Sequence, residues 1–412
     1  MLSAKPPSGF RELFLPVYLP TFLFAVGQGA VLPVIPLFAR ELGASVAVAG
    51  LIVALRGIGT MVFDVPAGML VSRFGERNAM VIATFALAIT ALGASLSPSI
   101  AVYGVLIFVM GCGWSVWLLG RLSYVTDAVP GHQRGRALSL LGGSNRIGNF
   151  AGPFIGGFAA ISFGLEAAFV IQAVLAIAAS AVLYLAVREP QSHTDVSHGG
   201  VPHSVPRILR ENANVFLTAG TATIAIQVLR TGRQVIIPLW GESIGLDAAQ
   251  IGVIFGISSG LDMVMFYPVG IVMDRWGRKV TAVPCLLFMS AGLFLVPLTN
   301  GFLGLTLAGL LIGFGNGMGS GIVMTLGADF SPTIGRGEFL GVWRLIGDIG
   351  TAGGPVVVSA VAGASTLGFA SIAAAAIGVA GAGVMALFVT EPLRRYAPAV
   401  VEVEPGDPGA AS

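Results

Sequence analysis

The chain has few charged residues and almost no cysteine, and both shortages limit what it can be. Of its 412 residues, 22 are lysine or arginine and 20 are aspartate or glutamate, so 10% are charged. Soluble proteins carry about 25% charged residues, and a soluble globular fold is therefore excluded. The net charge of +2 gives no basis for nucleic-acid binding. The two cysteines, Cys112 and Cys285, lie in apolar runs, which excludes a disulfide framework.

Long apolar runs occupy most of the chain. Hydrophobic residues make up 55% of it and the mean hydropathy is +0.88. Because a helix needs about 20 apolar residues to cross a bilayer, the runs predict an all-α membrane protein with twelve transmembrane helices. Membrane lipid is therefore an expected partner. The predicted spans are 14–38, 47–71, 79–96, 100–124, 137–162, 166–187, 215–240, 249–273, 280–298, 302–326, 338–362 and 366–389.

Basic residues are distributed unevenly among the loops, and this distribution predicts the orientation. With the amino terminus inside, fifteen of the lysines and arginines outside the spans fall on the cytoplasmic side, and Arg40 falls outside. This is the asymmetry that the positive-inside rule describes. We therefore predict that both termini are cytoplasmic. The preference for arginine over lysine, with abundant alanine and glycine, suggests a bacterial protein of the cell inner membrane.

Polar segments divide the chain into four parts. We predict an N-terminal six-helix half over 1–188, a cytoplasmic linker over 189–214, a C-terminal six-helix half over 215–396 and a disordered tail over 397–412. The linker contains three histidines at five-residue spacing, without neighbouring cysteines, and we interpret them as solvated residues. Neither a metal site nor a cofactor is expected. The histidines are His193, His198 and His203.

The two halves repeat each other with a constant offset of 202 residues. Pro36 corresponds to Pro238, and Arg134 to Arg336. Each half has six spans, an even number, so both halves insert with the same topology. Two parallel repeats of this kind are related by a pseudo-two-fold axis along the membrane normal, with substrate bound near the midplane between them.

Loop motifs in the two halves resemble a known family. Residues 270–279, GIVMDRWGRK, resemble closely the cytoplasmic loop signature of the major facilitator superfamily. The equivalent residues 68–77, GMLVSRFGER, depart from it at Ser72 and Glu76. The resemblance implies that these loops hold the halves together by charge pairing in the outward-facing state, with Arg73 or Arg77 as possible partners of Asp127. The gating residues implied here are Gly68, Arg73, Arg77, Asp127, Asp274, Arg275, Arg278 and Asp329.

A third motif is similar to a signature of exporters. Residues 148–157, GNFAGPFIGG, resemble the signature of the drug/proton antiporter branch, with Gly152 and Pro153 at its centre. Glycines at four-residue spacing allow close helix packing, and proline weakens the helix, so simple packing is the alternative interpretation. The arginine that this branch usually carries in the fourth helix is replaced by Ile107.

Nine charged residues lie inside the predicted spans. At about 2.5–3.5 kcal/mol each, nine unpaired charges would cost on the order of 25 kcal/mol, so they must pair or face water. The resemblance implies that helix two packs against helix eleven and helix five against helix eight. Counting from the cytoplasmic ends then pairs Asp64 with Arg344 and Arg146 with Asp262. Either pair is a structural contact or a proton-coupling site, and Asp348 is the first candidate for the titrating acid. Arg56 is the remaining candidate for proton coupling or ion pairing.

Three more arginines have no acidic counterpart in the spans. The resemblance implies that helices one, four, seven and ten line a central cavity, and polar or aromatic residues recur there at one depth. A tryptophan beside an arginine has two interpretations of equal weight, a substrate-binding surface and a structural cation–π contact. The candidate substrate-binding residues are Gln28, Trp114, Trp117, Arg121, Gln227, Arg230, Arg233 and Asn316. Because helix one has no acid, we expect an anionic, zwitterionic or neutral amphipathic substrate.

Three functions are compatible with these features. The first is a proton-coupled exporter of a small molecule that works by alternating access, with protons as the coupling ion. The second is a proton-coupled uptake symporter for an organic anion. The third is a membrane receptor without transport. Such a receptor would not need nine charged residues in its spans, which argues against it. An enzyme is not expected, since no nucleophile–base pair, metal cluster or phosphate loop occurs. Gly313, Gly315, Gly317 and Gly319 lie within a span, and we interpret them as close helix packing. We expect a monomer.

Overall fold

The computed structural model describes residues 13–129, 131–187 and 205–391. The predicted tail at 397–412, the linker histidines and the basic residues Lys5, Arg11, Arg188, Arg394 and Arg395 lie outside these ranges. Within them the chain is helical throughout, without a strand. The predicted all-α fold is therefore confirmed for the described part of the chain.

Twelve long helices, α1 to α12, follow one another in the described residues. A short linker helix, Val205–Glu211, lies between the sixth and the seventh. Eleven of the twelve are long and apolar enough to cross a membrane. The exception is α5, whose first half carries Ser144, Asn145 and Arg146. The helices are α1 (Phe14–Val31, continued by Val34–Glu41), α2 (Val46–Phe74), α3 (Glu76–Ser95), α4 (Ile100–Ala128), α5 (Gly131–Phe163), α6 (Glu166–Ala186), α7 (Ala213–Ser243), α8 (Ala248–Trp276), α9 (Lys279–Leu298), α10 (Phe302–Phe330), α11 (Arg336–Ala364) and α12 (Leu367–Leu387).

Local signals at the helix ends follow the repeat. Gly75 ends α2 and Gly277 ends α8 with φ of 78° and 107°, a backbone conformation that favours glycine. The two glycines are 202 residues apart, so both halves turn in the same way at this point. Side-chain caps begin several helices: Ser45 accepts from Val48 N at the start of α2, and Asp247 and Gln250 form a capping box at α8.

Two predicted spans are interrupted in the structure. The first, 14–38, is broken at Leu32 and Pro33, where proline cannot continue the hydrogen-bond ladder. The tenth, 302–326, is broken between Met318 and Ile322, where Gly321 has a φ of 78°. The spans α2, α4 and α5 also run three to six residues beyond their predicted ends, because their polar ends remain helical past the apolar run.

Each half packs its helices in the same order. In the first half α1 packs on α5 and α6, α2 on α4, and α3 on α4 and α6; the second half repeats this with α7 to α12. Between the halves, α2 packs against α11 and α5 against α8. The two-half architecture expected from the repeat is therefore confirmed, and helices two and eleven, and five and eight, form the interface.

Contacts between the halves extend to one end of the bundle. We call the end with the linker helix and the α2–α3 and α8–α9 loops the linker end, and the other the far end. At the far end small residues bring helices close, and a Cβ added to Gly363 would lie 3.1 Å from Ala47 Cβ. Arg40 also forms a salt bridge with Glu242 there, at 3.4 Å. The halves are therefore joined at the far end as well as along the α2–α11 and α5–α8 interfaces.

Candidate functional site

A cavity of about 920 Å³ lies between the two halves. Eight helices contribute to its wall, four from each half, and it extends toward the linker end at Leu122, Leu138 and Met324. Its size is in the range of sites that hold drug-sized molecules. Among the candidates from the sequence, those in its wall are Gln28, Arg56, Trp114, Arg121, Arg146, Pro153, Gln227, Arg233, Asp262, Arg344 and Asp348.

A cluster of one arginine and two aspartates crosses the interface between α2 and α11. Arg344 Nε and Nη2 each donate to one oxygen of Asp64, both at 2.8 Å, which is the strong two-point geometry. Asp348, one turn along α11, lies 3.8 Å from Arg344 Nε. Ser115 of α4 donates a further hydrogen bond to Asp64. The structure thus brings together the pair expected from helix depth, and adds Ser115, which the sequence analysis missed.

The two carboxyl groups of this cluster share one cation. Arg344 Nε lies 2.8 Å from an oxygen of Asp64 and 3.8 Å from an oxygen of Asp348, so both acids adjoin one guanidinium. Two carboxylates beside a single cation leave an excess negative charge, which one proton can neutralise. The cluster can therefore hold one proton shared by two acids next to one fixed cation.

A second ion pair joins α5 and α8. Arg146 Nη1 donates to Asp262 Oδ1 at 2.9 Å. The second nitrogen, Nη2, donates to Ser320 Oγ at 3.1 Å, and Ser320 in turn donates to Asp262 at 3.2 Å. Ser320 lies in the break of α10, so this pair connects α5, α8 and α10. The glycines around Ser320 suggested only close packing in the sequence, and the break itself was not predicted.

Arg230 of α7 is occupied by hydrogen bonds and does not lie in the cavity wall. Its nitrogens donate to Asn316 Oδ1 at 2.8 Å, to Gln227 Oε1 at 3.1 Å and to the carbonyl oxygen of Gly319 at 2.8 Å. The last bond satisfies a carbonyl at the end of the first segment of α10. Arg230 and Asn316 line a smaller pocket of about 260 Å³ beside the cavity. Both residues were expected in the wall of the central cavity. They lie beside it instead, because Arg230 turns toward α10.

The wall formed by α4 is aromatic and positively charged. Trp114 lies in the wall and stacks on Phe24 of α1, with ring centroids 5.6 Å apart. Arg56 Cζ lies 5.9 Å from the Trp114 ring centroid. Trp117 is only 1% exposed and packs behind the wall against Phe24, contrary to the expectation that both tryptophans face the cavity. The three-residue spacing turns Trp117 toward α1.

The loop motifs form contacts inside each half. Arg278 Nε donates to Asp329 at 2.7 Å, and its Nη1 donates to Asp274 at 3.4 Å. Arg77 donates to the carbonyl oxygen of Tyr184 at 2.6 Å. Asp127 forms no ion pair with Arg73 or Arg77 among the described residues, and the charged groups that act on it are Glu76 and Arg134. The implied pairing therefore stays a prediction. Arg77 instead reaches α6, where it also lies over the Tyr184 ring.

The remaining gating candidates lie at the linker end. Arg73, Arg275 and Asp274 are exposed. Neither Gly68 nor Gly270 has an atom near the position of an added Cβ. None of these five residues is in contact with the opposite half through an ion pair among the described residues.

The glycine-rich motif of α5 has two faces. Gly148, Gly152 and Gly156 pack directly on the backbone of α1, where a Cβ at Gly152 would collide with Val26 and Ala30. On the other face, Pro153 lies in the cavity wall and its carbonyl oxygen touches Gly252 of α8. The motif therefore sets the distance between α5 and its neighbours on both sides.

Comparison with known proteins identifies the family. The sequence profile of the Major Facilitator Superfamily matches residues 17–355, with a second match over 222–404. The chain therefore belongs to the Major Facilitator Superfamily, and it is a multi-pass membrane transporter. This family and this fold are those of transporters and not of enzymes.

Individual relatives are distant. The chain is 20% identical over 339 residues to an uncharacterised MFS-type transporter of Methanocaldococcus jannaschii, covering 81% of this chain and 87% of that protein. It is 21% identical over 311 residues to the quinolone resistance protein NorA of Staphylococcus aureus, covering 74% and 78%. The crystal structure of a D-xylose–proton symporter superposes with a TM-score of 0.73 at 17% identity, over 93% of this chain and 98% of that chain. At this identity the superposition shows the fold alone.

Proposed function

We propose that the protein is a proton-coupled exporter of a small amphipathic compound, anionic, zwitterionic or neutral, and that it works by alternating access. The observation that carries the proposal is the acidic pair Asp64 and Asp348, which shares Arg344 across the interface between the halves. This cluster adjoins a cavity of about 920 Å³ that is suited to a drug-sized molecule. The similarity to a quinolone resistance protein supports export over uptake.

The position of the cluster explains how it would take up a proton. Asp64 lies on α2 and Arg344 on α11, so a rocking motion of one half against the other pulls this pair apart. A carboxylate that loses its cation in an apolar environment binds a proton more readily. In the proposed cycle Asp348 and Asp64 bind the proton when the far end opens, and release it when Arg344 returns to Asp64.

The proposed direction follows from the orientation. The excess of arginine and lysine at the linker end supports a cytoplasmic linker end and an inner-membrane location. The cavity faces the linker end in this structure, so substrate enters it from the cytoplasm. Opening at the far end then releases substrate outward while protons move inward. We propose that a monomer carries out this cycle, since the cavity is complete within one chain.

Uptake of an organic anion by symport is the second candidate. The observation that favours it is the presence of Arg121 and Arg233 in the cavity wall without an acidic partner at hydrogen-bonding distance among the described residues. Such arginines would bind a carboxylate in either direction of transport. The two candidates differ in whether proton and substrate move in opposite directions or together.

Flux measurements in liposomes separate these candidates. The protein is reconstituted with an internal pH indicator, an inward or outward pH gradient is imposed, and candidate compounds are added to one side. Proton movement opposite to substrate movement supports antiport, and movement of both in one direction rejects it in favour of symport.

Replacing Asp348 tests the proposed proton site. In Asp348→Asn the substrate-driven proton flux is expected to disappear, because the cluster can no longer share a proton between two acids. Exchange of labelled for unlabelled substrate without a gradient should remain, which distinguishes lost coupling from misfolding. Glu211→Gln, on the exposed linker helix, is the matched control and should keep full coupling. Unchanged coupling in Asp348→Asn would assign the proton to another acid.

A further inference from the structure

Arg121 of α4 is a buried cation that has no hydrogen-bond partner. It is 8% exposed, it lies in the cavity wall, and its Nε and Nη1 atoms make no hydrogen bond to any described residue. Among the described residues its guanidinium forms a cation–π contact with Trp117, with Cζ 5.7 Å from the ring centroid. A buried charge without a partner is costly to keep, so a group that binds it only part of the time is expected.

The other charged groups of the cavity cannot supply that partner. Arg344 is shared by Asp64 and Asp348, and Arg146 holds Asp262. These three aspartates are thereby engaged with arginines on other helices. Apolar side chains also line the cavity, among them Leu118 and Leu122 on the same helix as Arg121, and Leu138 and Leu141 on α5.

We infer that Arg121 binds the acidic group of the transported compound, and that this compound is an amphipathic organic anion with an aromatic or aliphatic body. A guanidinium without an acidic partner donates charge-assisted hydrogen bonds to the oxygens of a carboxylate, sulfonate or phosphonate. The four leucines cover the apolar body. Trp114 lies two helical turns from Arg121, about 10 Å along α4, so the body of a bicyclic aromatic acid would reach it.

This inference rests on the proposed function only in placing the substrate in the central cavity. It narrows the substrate from anionic, zwitterionic or neutral to anionic. It makes no use of proton coupling or of the direction of transport. Binding without a gradient therefore tests the inference separately from the liposome experiments.

The test compares three probes of one shape with the purified full-length protein in nanodiscs. The probes are 2-naphthoate, its neutral amide 2-naphthamide and the cation 2-naphthylmethylammonium, and binding is measured by calorimetry at neutral pH. A charge-assisted contact predicts that the wild type binds 2-naphthoate about tenfold or more tightly than the amide, and the cation weakest. Equal binding of the anion and the amide would overturn the inference.

Substitution of Arg121 identifies the residue responsible. In Arg121→Met the preference for 2-naphthoate over 2-naphthamide should be lost, while binding of the amide stays within about twofold. The thermal midpoint of unliganded Arg121→Met should equal or exceed that of the wild type, since an unpaired buried charge has been removed. A merely structural cation–π contact predicts the reverse, a lower midpoint with the preference kept, and that result would overturn the inference.

Two further variants complete the design. Arg207→Gln removes one arginine from the exposed linker helix and should keep the full preference. Arg121→Lys keeps the charge but replaces the planar, weakly hydrated guanidinium by a compact, strongly hydrated ammonium, so its affinity for 2-naphthoate should fall at least threefold with the amide unchanged. If Arg121→Met fails to fold, Arg121→Lys decides: unchanged affinity for 2-naphthoate in that variant overturns the inference. If the wild type shows no preference for the anion but retains proton coupling in liposomes, the inference fails and the proposed function is retained.

Discussion

Arg344 is the residue on which the charge balance of the interface depends. It is the cation that holds Asp64 of the opposite half at 2.8 Å and lies 3.8 Å from Asp348 on its own helix. Without it, two carboxyl groups would face each other in a site of low polarity. The same arrangement that couples a proton to motion therefore also stabilises the resting contact between α2 and α11.

Removal of this cation should destabilise the protein, and removal of one acid should reverse the loss. Arg344→Gln is expected to lower the stability by about 2 kcal/mol, a value reduced from that of a fully buried pair because Arg344 is 36% exposed to the cavity. In the double variant Arg344→Gln with Asp64→Asn most of the loss should be recovered, because one carboxyl group, that of Asp348, is then left without a cation instead of two. Thermal unfolding in detergent measures both. Additive losses in the double variant would contradict the pairing seen in the structure.

The positions of some residues of this site can be predicted from the sequence, and those of others cannot, for physical reasons. The pairing of Asp64 with Arg344 could be predicted, because depth in a spanning helix follows from counting residues at 1.5 Å each from a charged loop. Spacing shows which side chains share a face of one helix, but not which neighbour that face meets. For that reason Trp117 and Arg230 were expected in the cavity, whereas Trp117 packs on α1 and Arg230 on α10.

At the scale of helices, the repeat shows where the halves differ. Arg278 at the start of α9 pairs with Asp329 of α10 at 2.7 Å. The equivalent residues of the first half, 202 positions earlier, are Glu76 and Asp127, two neighbouring acids. Ser123 donates to Glu76 at 3.1 Å, and the charge of Arg134 acts on Asp127. The first half therefore lacks an ion pair that the second half has at the same place.

Restoring the missing ion pair should stabilise the first half. In Glu76→Arg the new guanidinium would meet Asp127 as Arg278 meets Asp329, and remove the repulsion between two neighbouring acids. We expect a gain of about 1 kcal/mol, measured as a higher midpoint of thermal unfolding. The gain should disappear when Asp127→Asn is added, which serves as the control. An equal fall of the unfolding midpoint in Glu76→Arg and in Glu76→Arg with Asp127→Asn would mean that loss of the acid at the start of α3 outweighs the new ion pair.

The break in α10 is the feature of an element that the sequence indicated least clearly. Gly313, Gly315, Gly317 and Gly319 suggested close helix packing, and the first two do lie against Ser258 and Met289. The helix nevertheless ends at Met318, and its freed carbonyl at Gly319 is satisfied by Arg230. An interrupted helix is tolerated at membrane depth where it faces protein or a water-filled cavity, which is the situation here. Such a long-range partner cannot be read from glycine spacing.

At the scale of the whole molecule, the two halves are in contact at the far end, and the cavity between them extends toward the linker end. The far-end contacts include the Arg40–Glu242 salt bridge and the close approach of Gly363 to Ala47. Alternating access requires that these contacts open while those at the linker end form. The small residues at the far end allow this, because they hold the helices close without interlocking side chains.

A covalent bond across the far end should therefore stop transport without unfolding the protein. An added Cβ at Gly363 lies 3.1 Å from Ala47 Cβ, so a small adjustment brings cysteines at these positions into disulfide geometry. We expect Ala47→Cys with Gly363→Cys, in a background with Cys112→Ala and Cys285→Ala, to lose transport in liposomes under oxidation and to regain it with reductant. Each single cysteine variant is the control and should transport under both conditions. Binding of substrate from the linker end should persist in the oxidised protein, because the cavity already faces that end. Transport that continues with the disulfide formed would show that the far end does not need to open, and would contradict alternating access through it.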